Sequence, residues 1–456
     1  MFYLEFCSPN LIRLCRKNRM EEFSSYYDAV SKIIEAYDTT PSKADEIMSE
    51  QFSLSVKQKP FLSVCQFIFL TVLRNKFLIE CSIGKIAPKK PRKKVFALLK
   101  GACAEIMTSD AQKLPKVVHG WVEFSKKYLS FGEAKFVNAV LRKLSGALEE
   151  TKRENKLDII YSVPQWLLER WRANFGSEKT FAMLQNLNEP SKVFLRKSPN
   201  PEADRLLEQN AAALQKSQFD DFYILNSGYW NVAEELLRSG LFYIQDPSTT
   251  FAVNRLEPKS GGKYLDLCAS PGGKSRYIAD KILEEALKND ESKTLLKDSI
   301  LVSVDVKERI KKLGQNIARI DFLDTKILEC NLLEENLGEK LAALNLPLLF
   351  DGVFIDAPCS NTGVLRRRPD ARYRISEEDI SNCAKIQRLL LNKNCRFVKV
   401  GGRLVFSTCS IDRQENEENA AAFAKENPQF VLEYGKTFLP DIQNDGCGVF
   451  VFKRIY

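Results

Sequence analysis

Through the first third of the chain, apolar positions recur at the three- and four-residue spacing of amphipathic helices. The pattern runs through Tyr26–Tyr37, Phe61–Asn75, Val95–Ile106, Lys116–Tyr128 and Ala134–Leu148, with little β-branched alternation. A helical domain is expected over 20–148. The charged run Glu149–Asp158 reads as a linker or an extended helix end, and Val163–Phe175 as a helix opened by Pro164. Short strand-like pieces at Val193–Arg196 and Phe222–Ile224 suggest a small α/β module over 158–230. From 235 to 456 the pattern alternates strand and helix, as in a doubly wound parallel sheet. Its strand candidates are Tyr264–Leu267, Ile300–Val304, Lys326–Leu328, Leu349–Ile355 and Arg403–Ser407, with helices such as Val306–Arg319 and Ile380–Lys399 between them.

Composition narrows the class. With 456 residues, 44% hydrophobic and 28% charged, the chain is long enough for several cores. No apolar stretch reaches the length of a spanning helix, so no membrane association is expected. At the N-terminus the charges Arg13, Arg16, Lys17 and Arg19 follow the apolar part of Met1–Leu14, which argues against a secretory signal and leaves Met20 as an alternative start. Twelve cysteines spread along a long chain, with no CxxC pair, fit free thiols in a reducing cytoplasm. The single histidine, His119, rules out multi-histidine metal sites and is expected to be an ordinary helix residue; no metal is anticipated. A formal charge of +9 suits a polyanionic partner, though only weakly.

Two features carry chemistry. The first expected strand of the C-terminal sheet runs into Cys268-Ala269-Ser270-Pro271-Gly272-Gly273-Lys274-Ser275, a strand–glycine loop–helix arrangement that lets a nucleotide-like ligand approach the backbone. A P-loop would require glycine where Cys268 stands, and the dinucleotide fingerprint is absent, which demotes nucleotide hydrolysis and hydride transfer. Asp305, closing the second strand, is a ribose acceptor in one reading and a helix N-cap in the other; its pairing with the glycine loop favours the ligand. The second feature is a pair of thiols at strand tips, in Asp356-Ala357-Pro358-Cys359-Ser360 and Ser407-Thr408-Cys409-Ser410. One such cysteine would ordinarily be packing. Two at neighbouring tips, beside Asp356 and a cofactor loop, are hard to explain as core.

Cys268–Lys274, Asp356–Ser360 and Ser407–Ser410 resemble motifs I, IV and VI of the Sun family of RNA cytosine-5 methyltransferases. Phe136-Val137-Asn138-Ala139-Val140-Leu141-Arg142 resembles the segment closing a NusB-like helical domain, Trp166-Leu167-Leu168 the start of the next module, and Gln245-Asp246-Pro247-Ser248 the entry to the catalytic domain. The order is similar to that of the bacterial enzymes that methylate a cytosine of small-subunit (16S) ribosomal RNA. The resemblance implies a NusB-like all-α bundle, a small α/β (RRM-like) module and a Rossmann-like class I methyltransferase sheet. It implies S-adenosylmethionine as cofactor, held by Cys268–Lys274, Asp305, Asp356 and Asn331, the last standing where the family usually has aspartate.

The chemistry such enzymes need explains the thiols. Carbon 5 of cytosine becomes nucleophilic once a thiolate has added at carbon 6, which turns one difficult step into easier ones. Residue chemistry leaves the attacker open between Cys359 and Cys409. The resemblance implies Cys409 as nucleophile, Cys359 assisting product release, and Asp356 between cofactor and base. Arg366, Arg367 and Arg368, just past the Cys359 loop, are candidates to grip RNA phosphates, as are Lys89, Lys90 and Arg92 within Lys85–Lys94, where a plain solvated loop is the competing reading. A cytoplasmic monomer acting on ribosomal RNA is the expectation. The alternatives are the same reaction on transfer RNA or large-subunit RNA, and a non-catalytic RNA-binding factor.

Overall fold

A computed structural model describes residues 24–40, 42–52, 59–288 and 296–456. Met1–Leu14 and Met20 lie outside the described residues. The chain divides into two compact units, one comprising the N-terminal residues to Glu189 together with Leu365–Arg374, the other Pro190–Val364 with Ile375–Tyr456.

The first unit is helical. Helices Tyr26–Thr39, Lys59–Arg74, Lys76–Ile86, Lys93–Thr108, Leu114–Tyr128 and Phe131–Arg153 enclose one core that includes Ile33, Phe69, Leu99, Trp121, Val137 and Leu144. The last of these helices starts on a capping box: Ser130 caps the Glu133 N–H while the Glu133 side chain returns to the Ser130 N–H. It runs on to Arg153, so the charged stretch after 148 is a helix end. Gln165–Phe175 opens after Pro164, as the proline signal predicts, and is followed by Ser177–Leu187. These two helices belong to the helical unit. Among the described residues no single helix is long and apolar enough to cross a membrane; one sharply bent pair, Leu62–Arg74 with Lys76–Ile86, passes on length and composition, but it lines the core just described.

The second unit holds two sheets. The smaller has four strands, β1 (Phe194–Lys197), β2 (Leu214–Lys216), β3 (Phe222–Leu225) and β4 (Phe242–Ile244), antiparallel in the order β2-β3-β1-β4. The larger has seven: β5 (Lys263–Leu267), β6 (Ile300–Asp305), β7 (Asp324–Glu329), β8 (Phe350–Asp356), β9 (Val398–Thr408), β10 (Phe430–Phe438) and β11 (Cys447–Arg454), in the order β10-β11-β9-β8-β5-β6-β7. Strands β5 to β9 are mutually parallel, and β11 runs antiparallel to β9 and β10. All five expected strands of this sheet are present. The β10–β11 pair is additional, because its Phe430–Phe438 member faces solvent over most of its length and lacks a clear apolar alternation.

The inner parallel strands β5, β6 and β8 are largely apolar because helices cover both faces, giving two cores, one around Val304, Ile355 and Phe406, the other around Leu301, Phe354 and Val405, while the edge strand β7 is mostly exposed. The two sheets are tied by buried charge. Arg196 on β1 meets Asp280 of helix Gly273–Lys288 at 2.6 Å, and Asp280 also receives Arg276 at 3.0 Å; all three are nearly inaccessible. Strand order reverses at β5, which opens a crevice at the carboxyl ends of β5, β6 and β8.

Candidate active site

The loop leaving β5 is built to bring backbone to a ligand. Cys268 and Gly272 take left-handed φ values of 59° and 102°, and the turn closes through Gly272 N–H to Ala269 O at 2.7 Å. A side chain at Gly272 would add strain and press on Leu313 at 3.2 Å. The helix Gly273–Lys288 then starts at the loop, directing N–H groups into the crevice. Neighbours fix the loop: Asn316 Nδ2 donates to Pro271 O at 2.6 Å and Gln245 Nε2 to Gly273 O at 3.2 Å, while Gln245 Oε1 accepts from Arg196. Asp266, wholly buried on β5, accepts from the Ser275 hydroxyl; burial pushes its carboxyl up to about 7 against that hydrogen bond.

Asp305 ends β6, as expected, with one carboxylate oxygen on its neighbour Val306 N–H and the other 2.7 Å from Ser270 N–H. It thereby shapes the loop after β5 and keeps lone pairs for hydroxyl donors. Asn331 lies past β7 with Oδ1 accepting from Leu333 N–H at 3.2 Å, and its own N–H goes to Glu335. A glycine loop, a helix N-terminus, a carboxylate and an amide along one sheet edge suit an adenosine-type ligand with several donors and acceptors. Lys274, expected in that ligand set, makes an ion pair across the site. Its ammonium sits 2.5 Å from Asp356 Oδ1; burial alone would lower its pKa, yet the charge and hydrogen bond of Asp356 raise it.

Asp356 closes β8 in register with Ser407 of β9, and Ala357 N–H donates to Ser407 O at 2.9 Å. This brings the two loops together with Cys359 Sγ 2.7 Å from Cys409 Sγ, both half-buried. The Cys409 thiol donates to Asn361 Oδ1 at 3.2 Å, and Asn361 Nδ2 donates to the Cys359 carbonyl at 2.9 Å. The Cys359 thiol is pushed well above its ordinary range, first by its hydrogen bond to Cys409, then by burial and by the charges of Cys409 and Glu415.

Beneath the thiols lies a polar support that the sequence reading passed over. Glu415 is wholly buried and accepts from Ser360 N–H (2.9 Å), the Ser360 hydroxyl, the Ser410 hydroxyl (2.5 Å) and Gln387 Nε2 (3.0 Å). Ser360 follows Cys359 and Ser410 follows Cys409, so one carboxylate pins both loops. Thr362 adds bonds to Ser410 Oγ (2.8 Å) and Ile411 N–H (3.1 Å). Gly363 donates to Cys409 O at 3.0 Å and accepts from Gly446 N–H; a Cβ there would stand 2.3 Å from Gly446 O. The Asp445–Phe450 segment therefore backs the loops that carry the two thiols. Glu415 sits in the strongly polar run Asp412–Glu418, which on its face reads as solvated.

The basic candidates separate. Arg366 is buried at 3% exposure, in contrast to the expected phosphate-gripping role, whereas Arg368 is exposed and Arg367 partly so. Lys89, Lys90 and Arg92 are exposed, but Arg92 is tied to Glu133 at 2.5 Å. His119 is an exposed helix residue, and no group of metal-binding side chains occurs among the described residues.

Fold and site together define the class: a methyltransferase that uses S-adenosylmethionine. Residues 253–453 match the model of the 16S rRNA methyltransferase RsmB/F family, and residues 28–146 that of the NusB family. A probable ribosomal RNA small subunit methyltransferase B of Bacillus subtilis (strain 168) is 32% identical over 377 residues, 78% of each chain. The methyltransferase B of Enterobacter sp. (strain 638) is 28% identical over 94% of this chain and 97% of its own. The chain belongs to the ribosomal RNA small subunit methyltransferase B family. The solved structure of PH0851 shares its fold, with TM-score 0.67 at 21% identity over 94% of this chain and 98% of the other. The structure of NSun6 from Pyrococcus horikoshii, with TM-score 0.52 and 18% identity, covers 64% of this chain and 98% of its own.

Proposed function

We propose that the protein methylates carbon 5 of a cytosine in small-subunit ribosomal RNA through a covalent adduct between Cys409 and carbon 6. The observation that carries this reading is the 2.7 Å approach of the two thiols, with Cys359 the member driven to keep its proton. A pair this close does not readily hold two negative charges. With Cys359 protonated and donating, Cys409 is the sulfur left to act as thiolate. It adds to carbon 6, and the ring's electron pair becomes available at carbon 5. S-adenosylmethionine supplies the electrophilic methyl group.

Asp356, held by Lys274, is placed to accept from the N4 amino group and to steady the ring while charge moves through it. Once the Cys409 sulfur is a thioether it neither accepts strongly from Cys359 nor repels its anion, so Cys359 becomes easier to ionise. Having released its own proton to solvent, the Cys359 thiolate takes the carbon 5 proton; the C5–H electrons re-form the double bond and the C6–S bond breaks, returning thiolate to Cys409. The exposed Arg368 and the lysines at 89 and 90 supply cations for the RNA backbone.

The test is a pair of variants on unmodified small-subunit RNA. Cys409→Ala should abolish transfer of labelled methyl groups, and Cys359→Ala should accumulate a denaturant-resistant protein–RNA adduct. Trapping by Cys409→Ala instead would exchange the two roles. Bisulfite sequencing of RNA from a deletion strain identifies the RNA: loss of a mark from transfer RNA or large-subunit RNA alone would overturn the substrate assignment.

A further inference from the structure

The helical unit contains a cavity of about 360 Å³ bordered by Tyr37, Lys76, Lys90, Lys93, Phe96 and Tyr373. Its charges do not cancel. The carboxylates of its wall, Asp38 and Glu80, both face Lys100, whose side chain is 2% exposed and lies 3.6 Å from Glu80. Arg374, also in the wall, is bound to Asp370 by two bonds of 3.0 and 2.7 Å. That leaves three ammonium groups, on Lys76, Lys90 and Lys93, with no carboxylate within ion-pair distance among the described residues. Two of them lie over rings instead: Lys76 Nζ is 4.9 Å from the Tyr373 centroid and Lys90 Nζ 4.9 Å from that of Phe96. The Tyr373 ring is held in place by its hydroxyl, which donates to Leu73 O at 2.7 Å. A larger cavity of about 600 Å³ beside Lys156, Asp158, Glu169 and Arg172 has balanced charge and carries no such signal.

Small cations around aromatic faces, in a cavity of mononucleotide size, match the chemistry of a phosphorylated nucleoside. Phosphate satisfies the lysines and a base lies against a ring. We infer that this cavity holds one nucleotide of single-stranded RNA, with its phosphate on Lys76, Lys90 and Lys93 and its base against Tyr373 or Phe96. Such a pocket grips RNA through a nucleotide other than the reacting one and adds affinity without sequence demand. The inference deepens the RNA-directed reading above and rests on it.

The test uses the full-length protein and a fluorescent single-stranded RNA from the small subunit. Lys76→Ala/Lys90→Ala/Lys93→Ala is compared with Lys116→Ala/Lys127→Ala/Lys143→Ala, which removes the same charge from exposed positions elsewhere in the helical unit. The pocket triple should weaken binding at least tenfold more than the control triple. It should also make the log–log salt dependence shallower by about 2, the value for three phosphate contacts on a single strand. RNA carrying 4-thiouridine should crosslink to peptides containing Phe96 or Tyr373. Equal losses from the two triples, or crosslinks confined to other peptides, would overturn the inference. So would a titration in which cytidine monophosphate binding is lost in the pocket triple while RNA binding is kept, since the site would then serve a free nucleotide. Methyl transfer by the wild-type protein, followed on the same RNA, shows separately whether the RNA-methylation reading stands.

Discussion

Lys274 Nζ lies 2.5 Å from Asp356 Oδ1, so the lysine that follows the β5 loop is held by the carboxylate at the tip of β8. The bond joins the tip of β5 to the tip of β8 and fixes the orientation of Asp356 before any ligand arrives. Lys274→Met should therefore lower methyl transfer by about 10²-fold, the usual cost of one lost electrostatic contact at a reacting centre. Calorimetry with S-adenosylmethionine should show affinity within about threefold of wild type. Affinity falling as far as turnover would place the ammonium on the cofactor after all.

The thiol pair makes a separate prediction. Cys359 is held protonated first by the hydrogen bond to Cys409, with burial second. Cys409→Ala removes the larger cause, so the pH midpoint for alkylation of Cys359 by iodoacetamide, read by peptide mass spectrometry, should move down relative to wild type. An unchanged midpoint would mean that burial alone sets it, and the argument for Cys409 as the thiolate would lose its electrostatic support.

Asp266 gives the chain a pH signature in stability. Its folded value is about 7 against an ordinary 3.8, chiefly through burial. Between these values the folded chain binds a proton that the unfolded chain has released, so stability falls as pH rises through that window and is constant above it. The slope is about 1.4 kcal/mol per pH unit, about 4 kcal/mol in all. Asp266→Asn stays neutral and can still accept from Ser275, so its melting temperature should change less between pH 5 and 8 and exceed that of wild type at pH 8. Parallel profiles for the two proteins would remove Asp266 as the source.

Much of the catalytic sheet was legible because parallel strands covered on both faces read as short apolar runs, and because the chemistry collects where those runs end. Asp305, Asp356 and the two cysteines could be placed at strand tips for that reason alone. The partner of Lys274 was not legible, because Asp356 is distant in sequence and brought close by strand order. Glu415 was invisible because burial of a carboxylate depends on donors from three segments, Ser360, Ser410 and Gln387, and nothing local in Asp412–Glu418 announces them. The arginines after Cys359 separate for a similar reason: exposure is decided by packing, and Arg366 is buried where Arg368 is not.

Arg372 shows what that packing demands. It is wholly buried, and burial lowers its pKa, yet it stays a cation because acceptors surround it. Nη1 donates to Tyr161 O at 3.0 Å and Asn188 Oδ1 at 2.9 Å, and Nη2 to Leu187 O at 3.4 Å and Leu365 O at 3.3 Å. These acceptors belong to the ends of the helices at 157–187 and to the start of Leu365–Arg374, so a single guanidinium anchors that returning segment within the helical unit. Arg372→Ala strands several buried carbonyls together, and the loss should reach about 3–5 kcal/mol. Arg372→Lys supplies one charge but not the planar fork and should recover only part of it. Hydrogen exchange read by mass spectrometry should show peptides covering 157–163 and 365–374 exchanging faster in Arg372→Ala, with β5 and β6 unchanged. Uniform acceleration across both units would make Arg372 a determinant of global stability and not the anchor of this segment.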